Sequence, residues 1–495
     1  MSDDLPPSIP KNCKGEHLFL RSAGGSFTYQ DLQCYGEFLI RFLKNNNGIN
    51  GSRPIGLLAS SSNTMVFIIA ACWQLGIPFT VFNPNAKPLQ LRKQINAINP
   101  QIIIGDSKTT AQFDDYTFIN ISQLNYAKAF ERNRDKGEGS GIQVMRHCIS
   151  KIFGYFFTSG TSGQPKIVPL KRRQMHAAAE SSAKNIKPDP NQCWYLCLPL
   201  HHIGGASVIL RSLIYGSAIY RTPSSKKEET ATHLSQTEDI VAASLVPTML
   251  NRLFENPDFK THKSFEAILL GGGPISDNLI ETSLKRRIPI IPSYGMTETC
   301  AQIAANALTK NSRHKDSVGS VFEPNHIQIR DDENSRLPKG ESGTVWVKGP
   351  QVFDGYYNRS SKYKFDKNGW FNTGDFGRLD EKDNLYIEAR RKDLIVTGGE
   401  NVLPIEVEEI LQEMDSIKEA AVFGIKDQEW GQKIVAAVVF SGGVKESTES
   451  IRKKLKELLE DYKIPKEFIA LDSLPRTETN KIKRTKLKQF HKTQR

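Results

Sequence analysis

The sequence predicts an α/β protein built from two domains, and three features of the chain predict it. Its 495 residues exceed what a single compact hydrophobic core organises. As far as about Val318, short apolar runs typical of strands alternate with segments of helical periodicity, the pattern of a parallel sheet covered by helices. After Val318 come short β segments with Gly, Pro and Asp turns, and after a charged break at Lys392 an α+β unit of ordinary domain size follows. We therefore expect a large α/β domain over 1–391, which ends in a small β-barrel or distorted sheet, and a smaller α+β domain over 392–495.

The individual elements follow from apolar runs and their period. Short apolar runs bounded by turn residues predict strands, and apolar residues spaced along one face predict helices. In the α/β part, strands are expected at 54–58, 77–82, 102–104, 152–156, 241–245, 267–270 and 288–291, and another ends near Cys197. Helices are expected there at 32–43, 63–73 and 89–97, with two more beginning near His202 and Pro247. Later strands are expected at 327–329, 343–347, 385–387, 420–424 and 434–440, later helices at 404–414 and 451–462, and an exposed loop at 132–141.

Composition and charge limit the class of protein. Hydrophobic residues make up 38% and charged residues 24%, which excludes an intrinsically disordered chain. The formal net charge of +12 would suit nucleic acid, an anionic membrane surface or an anionic substrate. Much of the excess lies in 481–495, where we expect a solvated basic tail rather than a nucleic-acid arm.

Cysteine usage and apolar runs indicate the compartment. The seven cysteines are odd in number and scattered without a Cys-x-x-Cys pair, which argues against a disulfide framework or a zinc site. The N-terminal stretch MSDDLPPSIP is acidic and interrupted by prolines, unlike a signal peptide. The most apolar run, 65–82, contains Gln74, Gly76 and Pro78, so a helix, a turn and a buried strand explain it better than a membrane span. We expect a cytoplasmic protein.

The stretch Thr158–Lys166, TSGTSGQPK, follows a predicted strand and suits an anion. Glycines let backbone N–H groups converge, hydroxyls add donors, and Lys166 adds a compact positive charge. A phosphate chain is the natural ligand, and an ordinary Gly/Ser turn is the alternative. The common nucleoside-triphosphate loop has Gly-Lys-Ser/Thr opening a helix, whereas here Lys166 follows Pro165 and precedes an extended Ile167 and Val168.

Two further glycine-containing segments follow predicted strands. Gly271, Gly272 and Gly273 would let a flat ligand such as a nucleobase lie against the backbone, and a flexible turn is the alternative. Tyr294 and Glu298 follow the strand predicted at 288–291, and a tyrosine and a carboxylate at the carboxyl end of a strand fit a ligand crevice. Glu298 has the oxygen chemistry for Mg²⁺, or it is an acid favoured at a helix N-terminus.

Asp375 and the adjacent histidines complete the candidate residues. Thr373-Gly374-Asp375 is a turn that carries a carboxylate. The adjacent His201 and His202 suggest a metal site, but the side chains of neighbouring residues in a strand point to opposite faces. We therefore expect that only one histidine lies on a pocket wall.

Five stretches together resemble the acyl-adenylate-forming superfamily, which contains acyl- and aryl-CoA ligases, adenylation domains and luciferases. They are, in the family's order, Thr158–Lys166 (TSGTSGQPK), Tyr294–Thr299 (YGMTET), Thr373–Asp375 (TGD), Ala389–Glu409 (ARRKDLIVTGGENVLPIEVEE) and Pro475–Arg484 (PRTETNKIKR). Three stretches, LLGGGP from Leu269, CLPLHHIGG from Cys197 and YGMTETCAQ from Tyr294, look most like the 2-succinylbenzoate–CoA ligases of menaquinone synthesis.

The resemblance implies a mobile C-terminal domain and two half-reactions, for which ATP, Mg²⁺ and CoA are needed. A carboxylate attacks the α-phosphate of ATP to give acyl-AMP and pyrophosphate, and the CoA thiol then displaces AMP. The first step brings two anions together, so positive charge is needed at the phosphoryl group, and the resemblance assigns this to Lys481.

The resemblance also implies the residues that hold ATP. The β- and γ-phosphates are assigned to Thr158, Ser159, Gly160, Thr161, Ser162, Gly163 and Lys166. The adenine site is assigned to Gly271, Gly272, Gly273 and Pro274 together with Ser293, Tyr294, Gly295 and Met296. Thr297 is implied to contact the α-phosphate and Glu298 to bind Mg²⁺. Asp375 is implied to accept both ribose hydroxyls, and Arg390 to support the ribose.

For the second step, the resemblance implies rotation of the small domain about Lys392. Rotation would remove Lys481 and bring in Thr397, Gly398, Gly399 and Glu400, whose bare glycine backbone would line the path for CoA. His202 would line the acyl pocket, either in catalysis or as a packed wall.

The chain departs from the family pattern at four positions. Asn480 and Ala389 stand where glycine is usual, His201 where an aromatic residue is usual, and Ser162 where threonine is usual. None of these changes removes a charge that the chemistry needs.

Three alternatives to a 2-succinylbenzoate–CoA ligase stay open. Another aryl- or fatty-acyl-CoA ligase would differ in its acid pocket, and a third kind of enzyme would load a carrier-protein thiol. The last alternative is a nucleotide- or nucleic-acid-binding protein without catalysis, and only the basic charge suggests it. The joint presence of Lys481, Glu298 and Asp375 argues against it.

Overall fold

The computed structural model describes most of the chain. The described residues are 13–45, 53–106, 113, 116–127, 130, 151–158, 166–222, 227–273, 275, 277–307, 316–331, 333–357, 365–389, 395–402, 404–442, 446–475 and 484–493. The loop predicted at 132–141 and the domain boundary predicted at Lys392 lie outside these residues.

Strands and helices alternate through the N-terminal part, as the apolar pattern predicts. The strands of that part are β1 (Leu18–Ser22), β2 (Gly25–Thr28), β3 (Ile55–Leu58), β4 (Phe79–Val81), β5 (Ile102–Gly105), β6 (Phe118–Asn120), β7 (Ile152–Thr158), β8 (Lys166–Lys171), β9 (Cys193–Leu196), β10 (Ala218–Arg221), β11 (Ile240–Leu245), β12 (Ala267–Leu270), β13 (Ile290–Met296), β14 (Ala301–Ala305) and β15 (Ser320–Val321). The helices are α1 (Tyr29–Asn45), α2 (Asn63–Leu75), α3 (Pro88–Ile98), α4 (Arg172–Ala183), α5 (Ile203–Tyr215), α6 (Lys227–Gln236), α7 (Pro247–Phe254) and α8 (Asp277–Lys285), with 3₁₀ turns at Ile121–Leu124 and Thr297–Thr299.

Two sheets organise this part. The larger runs in the order β15-β14-β13-β12-β11-β9-β10-β1-β2, and its central strands β13 to β1 are parallel. The smaller runs in the order β6-β5-β3-β4-β7-β8, with β7 and β8 as an antiparallel pair at one edge. Parallel strands are covered on both faces, which is why runs such as Ala267–Leu270 are apolar throughout.

Helix α2 explains the most apolar run of the sequence. Nearly all of its residues are buried in the hydrophobic core that the two sheets share, and its N-cap Ser62 accepts a hydrogen bond from the Met65 N–H. The helix ends at Gly76, whose φ of 68° is left-handed, and the chain turns directly into buried β4. The predicted helix, turn and buried strand are confirmed. Within the described residues, no helix combines the length and apolarity that a membrane crossing requires.

The segment after Val318 forms an antiparallel sheet. Its strands are β16 (His326–Arg330), β17 (Gly343–Lys348), β18 (Phe371–Leu379) and β19 (Leu385–Ala389), and they pair in chain order. Of the two predicted forms, a barrel or a sheet, the described strands make an open run of four in which each strand pairs antiparallel with the next.

The C-terminal part has its own two cores on the faces of one sheet. Its strands are β20 (Ile395–Thr397), β21 (Glu400–Val402), β22 (Ile417–Asp427), β23 (Gly431–Phe440) and β24 (Glu467–Ala470), and its helices are α9 (Pro404–Gln412), α10 (Thr448–Leu458) and α11 (Arg484–Thr493), with a 3₁₀ turn at Asp461–Lys463. One core contains Ile395 and Val407, and the other contains Phe423 and Leu487. These cores are separate from the core that ends at Leu385.

The expectation of a solvated basic tail is wrong for 484–493. Helix α11 buries Leu487 and His491, which are four residues apart and share one helix face. Arg484 donates hydrogen bonds of 2.6 and 2.9 Å to the two carboxylate oxygens of buried Glu408. This segment is therefore a packed helix, and the Arg484 cation is paired with Glu408.

Candidate active site

The predicted phosphate loop joins an antiparallel pair of strands. Thr158 ends β7 and pairs with Lys166, the first residue of β8, so both lie at the mouth of one hairpin. The Thr158 Oγ1 atom is buried and has no hydrogen-bond partner among the described residues, which fits a donor aimed at a ligand. The extended conformation expected after Lys166 is confirmed by β8.

Glu298 lies in the 3₁₀ turn that follows β13, and its side chain is buried with 1% of its surface exposed. Its Oε1 atom accepts a hydrogen bond of 2.8 Å from the hydroxyl of Tyr356. The ring of Tyr356 also faces the Lys166 ammonium, with 5.7 Å between Nζ and the ring centroid. Tyr356 therefore connects the predicted metal ligand to the predicted phosphate ligand. Sequence reasoning missed this residue, and the Asp354-Gly355 dipeptide before it, a composition typical of turns, is the local signal that marks its segment.

Tyr294, on β13, contacts Asp375, on β18. The Tyr294 hydroxyl donates a hydrogen bond of 2.8 Å to Asp375 Oδ2, and both side chains are almost fully buried. Asp375 is held further by its own backbone N–H, which donates to Thr373 Oγ1 at 3.1 Å. The structure thus brings together two predicted site residues that are 81 positions apart in the chain.

The glycines after β12 lie against β13. A Cβ on Gly271 would come within 2.7 Å of Ser293 Oγ, and Gly272 has a φ of +80° that favours glycine. At Gly295 a Cβ would meet the Ala301 carbonyl oxygen at 2.1 Å, so only glycine fits there. The next residues of the motif, Met296 and Thr297, carry the chain into the turn that presents Glu298.

His201 and His202 do not sit in a strand, so the prediction that they point to opposite faces is wrong. Strand β9 ends at Leu196 and α5 begins at Ile203, and the two imidazole rings lie 4.2 Å apart in the connecting turn. Burial lowers the pKa of His201 to about 3, with the neighbouring imidazole adding to that shift.

His202 reaches across to the C-terminal part. Its Nε2 lies 3.9 Å from Glu400 Oε2. Surrounding protein lowers the pKa of His202 although 48% of its side chain is exposed, and the Glu400 carboxylate opposes that shift. A lowered pKa keeps this imidazole neutral at pH 7, so the contact is not a full ion pair.

Thr397, Gly398, Gly399 and Glu400 form a tight hairpin between β20 and β21, with positive φ at both glycines. A Cβ on Gly399 would lie 3.0 Å from Thr248 Oγ1 and from Val246 Cγ2, both in the N-terminal part. The hairpin tip therefore packs against the start of α7, a docking face that sequence reasoning did not identify, since nothing in the local pattern marks it.

Several predicted site residues lie outside the described residues. They are Ser159, Gly160, Thr161, Ser162, Gly163, Pro274, Arg390, Lys392 and Lys481.

The described residues suit a nucleotide with its phosphates. The segment Ser293–Glu298 contacts every other part: the glycine turn at Ser293, Asp375 at Tyr294, and Lys166 through Tyr356 at Glu298. Ribose requires a carboxylate that accepts its hydroxyl donors, and a flat base requires a surface of bare glycine backbone. Phosphate requires a cation, which Lys166 supplies at the end of the hairpin.

Comparisons with known proteins agree with this chemistry. The AMP-binding enzyme family matches residues 11–357, and the AMP-binding enzyme C-terminal domain matches residues 406–481. A 2-succinylbenzoate–CoA ligase of Oceanobacillus iheyensis is 33% identical over 471 residues, which cover 94% of each chain.

Two solved structures of the o-succinylbenzoate CoA synthetase of Bacillus subtilis are also similar. A double mutant bound to its product analogue OSB-NCoA is 30% identical, covers 96% of both chains and has a TM-score of 0.85. The complex with the acyl-adenylate intermediate OSB-AMP is 29% identical, covers 96% of this chain and 95% of that chain, and has a TM-score of 0.68.

Proposed function

Since the chain belongs to the AMP-binding enzyme family, we propose that it is an ATP-dependent ligase that joins 2-succinylbenzoate to CoA. The acid and ATP give acyl-AMP and pyrophosphate, and the CoA thiol then displaces AMP. The names of the similar relatives support this acid, and their similarity extends over almost the whole chain.

One observation carries the proposal. The segment Ser293–Glu298, which is the end of β13 and the turn after it, contacts the glycine turn and the Asp375 carboxylate directly and is linked to Lys166 through Tyr356. A nucleotide carries its base, ribose and phosphate chain one after the other. The protein groups that would bind them follow one another in the same order along this segment. The arrangement supports ATP more specifically than a phosphate-binding turn alone.

In the first half-reaction, positive charge has to gather where the carboxylate meets the α-phosphate. Lys166 would hold the terminal phosphates, and Lys481 would approach the reacting oxygens. Buried Glu298 suits Mg²⁺, which prefers carboxylate and phosphate oxygens and would neutralise phosphate charge. Asp375 would fix the ribose, so that the α-phosphate is presented to the acid.

The second half-reaction is supported by the position of the hairpin tip. Gly399 packs on Val246 and Thr248, and Glu400 approaches His202, so the C-terminal part reaches the face where CoA would enter. The better match to the structure with the product analogue than to the adenylate complex supports the same arrangement. Neutral His202 would line the acyl pocket and, with Glu400, orient the entrance.

We assign the activity to the cytoplasm, where ATP and CoA are available. The cysteines within the described residues are all free, as expected in a reducing compartment.

Pyrophosphate release tests the proposed function. The purified protein is supplied with Mg²⁺, ATP and, in turn, 2-succinylbenzoate, benzoate, coumarate and medium-chain fatty acids, with and without CoA. We expect release with 2-succinylbenzoate and CoA-thioester formation in equal amount. Preference for another acid would identify a different ligase, release without CoA consumption would favour carrier loading, and no release with any acid would favour a binding protein.

A further inference from the structure

We propose that Tyr356 is a positioning residue that holds Glu298 and Lys166 in one arrangement for metal-bound nucleotide. The inference rests on the proposed function, because it takes Glu298 as the ligand of Mg²⁺ and Lys166 as a phosphate ligand. Tyr356 itself need not touch either.

The side chain of Tyr356 contacts both groups in different ways. Its hydroxyl donates to Glu298 Oε1 at 2.8 Å, and its ring face meets the Lys166 ammonium, with 5.7 Å from Nζ to the ring centroid. Tyr356 is 9% exposed and Glu298 1% exposed, so water competes little for the hydrogen bond. The bond to a carboxylate is of the charge-assisted kind and fixes the rotation of that carboxylate.

Tyr356 is itself held by a segment that we call the strap, residues 351–356. The Phe353 N–H donates to the backbone oxygen of Glu298 at 2.8 Å, and the Phe353 ring packs edge-on against Tyr356 with centroids 4.9 Å apart. The strap therefore forms hydrogen bonds with both the backbone and the side chain of Glu298.

Further contacts fix the strap to its neighbours. The side-chain amide of Gln351 donates to the Thr299 and Gln302 carbonyl oxygens at 2.8 Å each, which ties the strap to the turn that bears Glu298. Asp354 pairs with Lys171, at the end of β8, at 2.8 Å, and with Arg173 of α4. The strap thus spans from the phosphate hairpin to the carboxylate turn, although its residues lie far from both in sequence.

This geometry separates two kinds of effect. A carboxylate that rotates freely presents its second oxygen to a metal ion in only part of its conformations, whereas a hydrogen-bonded carboxylate is preorganised. Loss of the phenolic hydroxyl should therefore weaken the binding of metal-bound nucleotide far more than the binding of nucleotide without metal. A residue with a purely structural role would lower both affinities alike.

The test is Y356F in the full-length protein, which keeps the ring over Lys166 and removes only the hydroxyl. Calorimetric titration with the non-hydrolysable analogue AMPCPP, with and without Mg²⁺, measures binding independently of any acid. We expect Mg²⁺-AMPCPP to bind about tenfold more weakly and metal-free AMPCPP to change less than about twofold. Y357F, at the neighbouring half-exposed tyrosine, is the matched control and should bind as the wild type does.

A double-mutant cycle shows whether Tyr356 acts through Glu298. In an E298Q background, Y356F should add almost nothing to the loss of Mg²⁺-AMPCPP affinity, since the group that it positions is already altered. If Y356F fails to fold, D354N loosens the strap at its half-exposed end, and we expect a metal-specific loss of roughly threefold.

Three results would overturn the inference: wild-type Mg²⁺-AMPCPP affinity in Y356F, equal losses with and without metal, or full additivity with E298Q. Failure of the proposed function would appear differently. In that case 2-succinylbenzoate would give no pyrophosphate, while the metal-specific loss of analogue binding would still be measurable.

Discussion

The contact between Gly399 and the N-terminal part leads to a prediction that separates the two half-reactions. In G399A the new Cβ would lie 3.0 Å from Thr248 Oγ1 and from Val246 Cγ2, about 0.4 Å inside the 3.4 Å at which ordinary contact begins. The two parts of the chain would have to move apart slightly to relieve this contact. We expect the thiol step to slow in G399A, because that step is the one we assign to the packed arrangement.

The magnitude follows from two costs. The φ of Gly399 is +87°, and an alanine there costs about 1–2 kcal/mol in every arrangement of the domains. Overpacking adds about 1–3 kcal/mol only when the hairpin is packed against Val246 and Thr248. The first cost lowers stability in general, and the second lowers the rate of the thiol step by about tenfold if it is near 1.4 kcal/mol.

Gly398 supplies the matched control. Its φ is +59°, and its Cβ would lie 3.0 Å from Trp430 Cε3, inside the C-terminal part itself. G398A therefore carries similar backbone strain and a similar contact without crossing to the N-terminal part. The assay is rapid-quench conversion of preformed 2-succinylbenzoyl-AMP to thioester, with pyrophosphate release measured in parallel.

We expect G399A to slow thioester formation about tenfold more than G398A does, and both to release pyrophosphate at similar rates. Equal slowing of the thiol step by both variants would contradict this prediction, because it would show that packing across the two parts does not affect that step. Slowing of both half-reactions by G399A alone would refute it as well.

Three more predictions concern single residues. D375N should raise the KM for ATP about tenfold or more and leave the KM for the acid unchanged, because an amide accepts fewer ribose hydroxyls than the buried carboxylate; initial rates at varied ATP and acid measure this. K481A should slow acyl-AMP formation by roughly 10²–10³ and spare the conversion of supplied acyl-AMP to thioester, and undiminished adenylate formation would contradict the role of this lysine. H201F should make the protein less sensitive to acid: the folded pKa of His201 is about 3, so as pH falls below about 6.5 the unfolded chain takes up a proton that the folded chain does not, and stability is lost. Denaturant unfolding between pH 7 and 4 should therefore show a shallower decline in H201F, by up to roughly 1.4 kcal/mol per pH unit, and an unchanged decline would contradict it.

The sequence predicted those helices and strands that are determined by the residues within and next to them. Buried strands such as Ala267–Leu270 are apolar on both faces, and helix α2 is bounded by a serine N-cap and a glycine C-cap, so composition and period suffice to find them. The strand predicted at 288–291 instead spans Ile290–Met296, because the parallel pairing with β12 continues through Pro292 and an antiparallel pairing with β14 takes over from Ser293.

Only those site residues that lie within a sequence motif could be predicted. Glu298 and Asp375 were predicted as site residues because a motif surrounds each, and the structure shows both buried and hydrogen-bonded. Tyr356 was missed because its two partners are 58 and 190 positions away, and its role exists only through packing of the strap. The histidines were misplaced for a related reason: where a strand ends decides whether neighbouring side chains alternate, and β9 ends at Leu196.

We propose that this chain activates 2-succinylbenzoate as an adenylate before CoA reacts. A single-turnover experiment with enzyme in excess over ATP tests it most directly, with the acid and Mg²⁺ present and CoA added only after a delay. We expect 2-succinylbenzoyl-AMP to accumulate on the protein and to be converted quantitatively to thioester and AMP when CoA is added. Thioester formation without a prior adenylate, or no adenylate from this acid under conditions where another acid yields one, would contradict it.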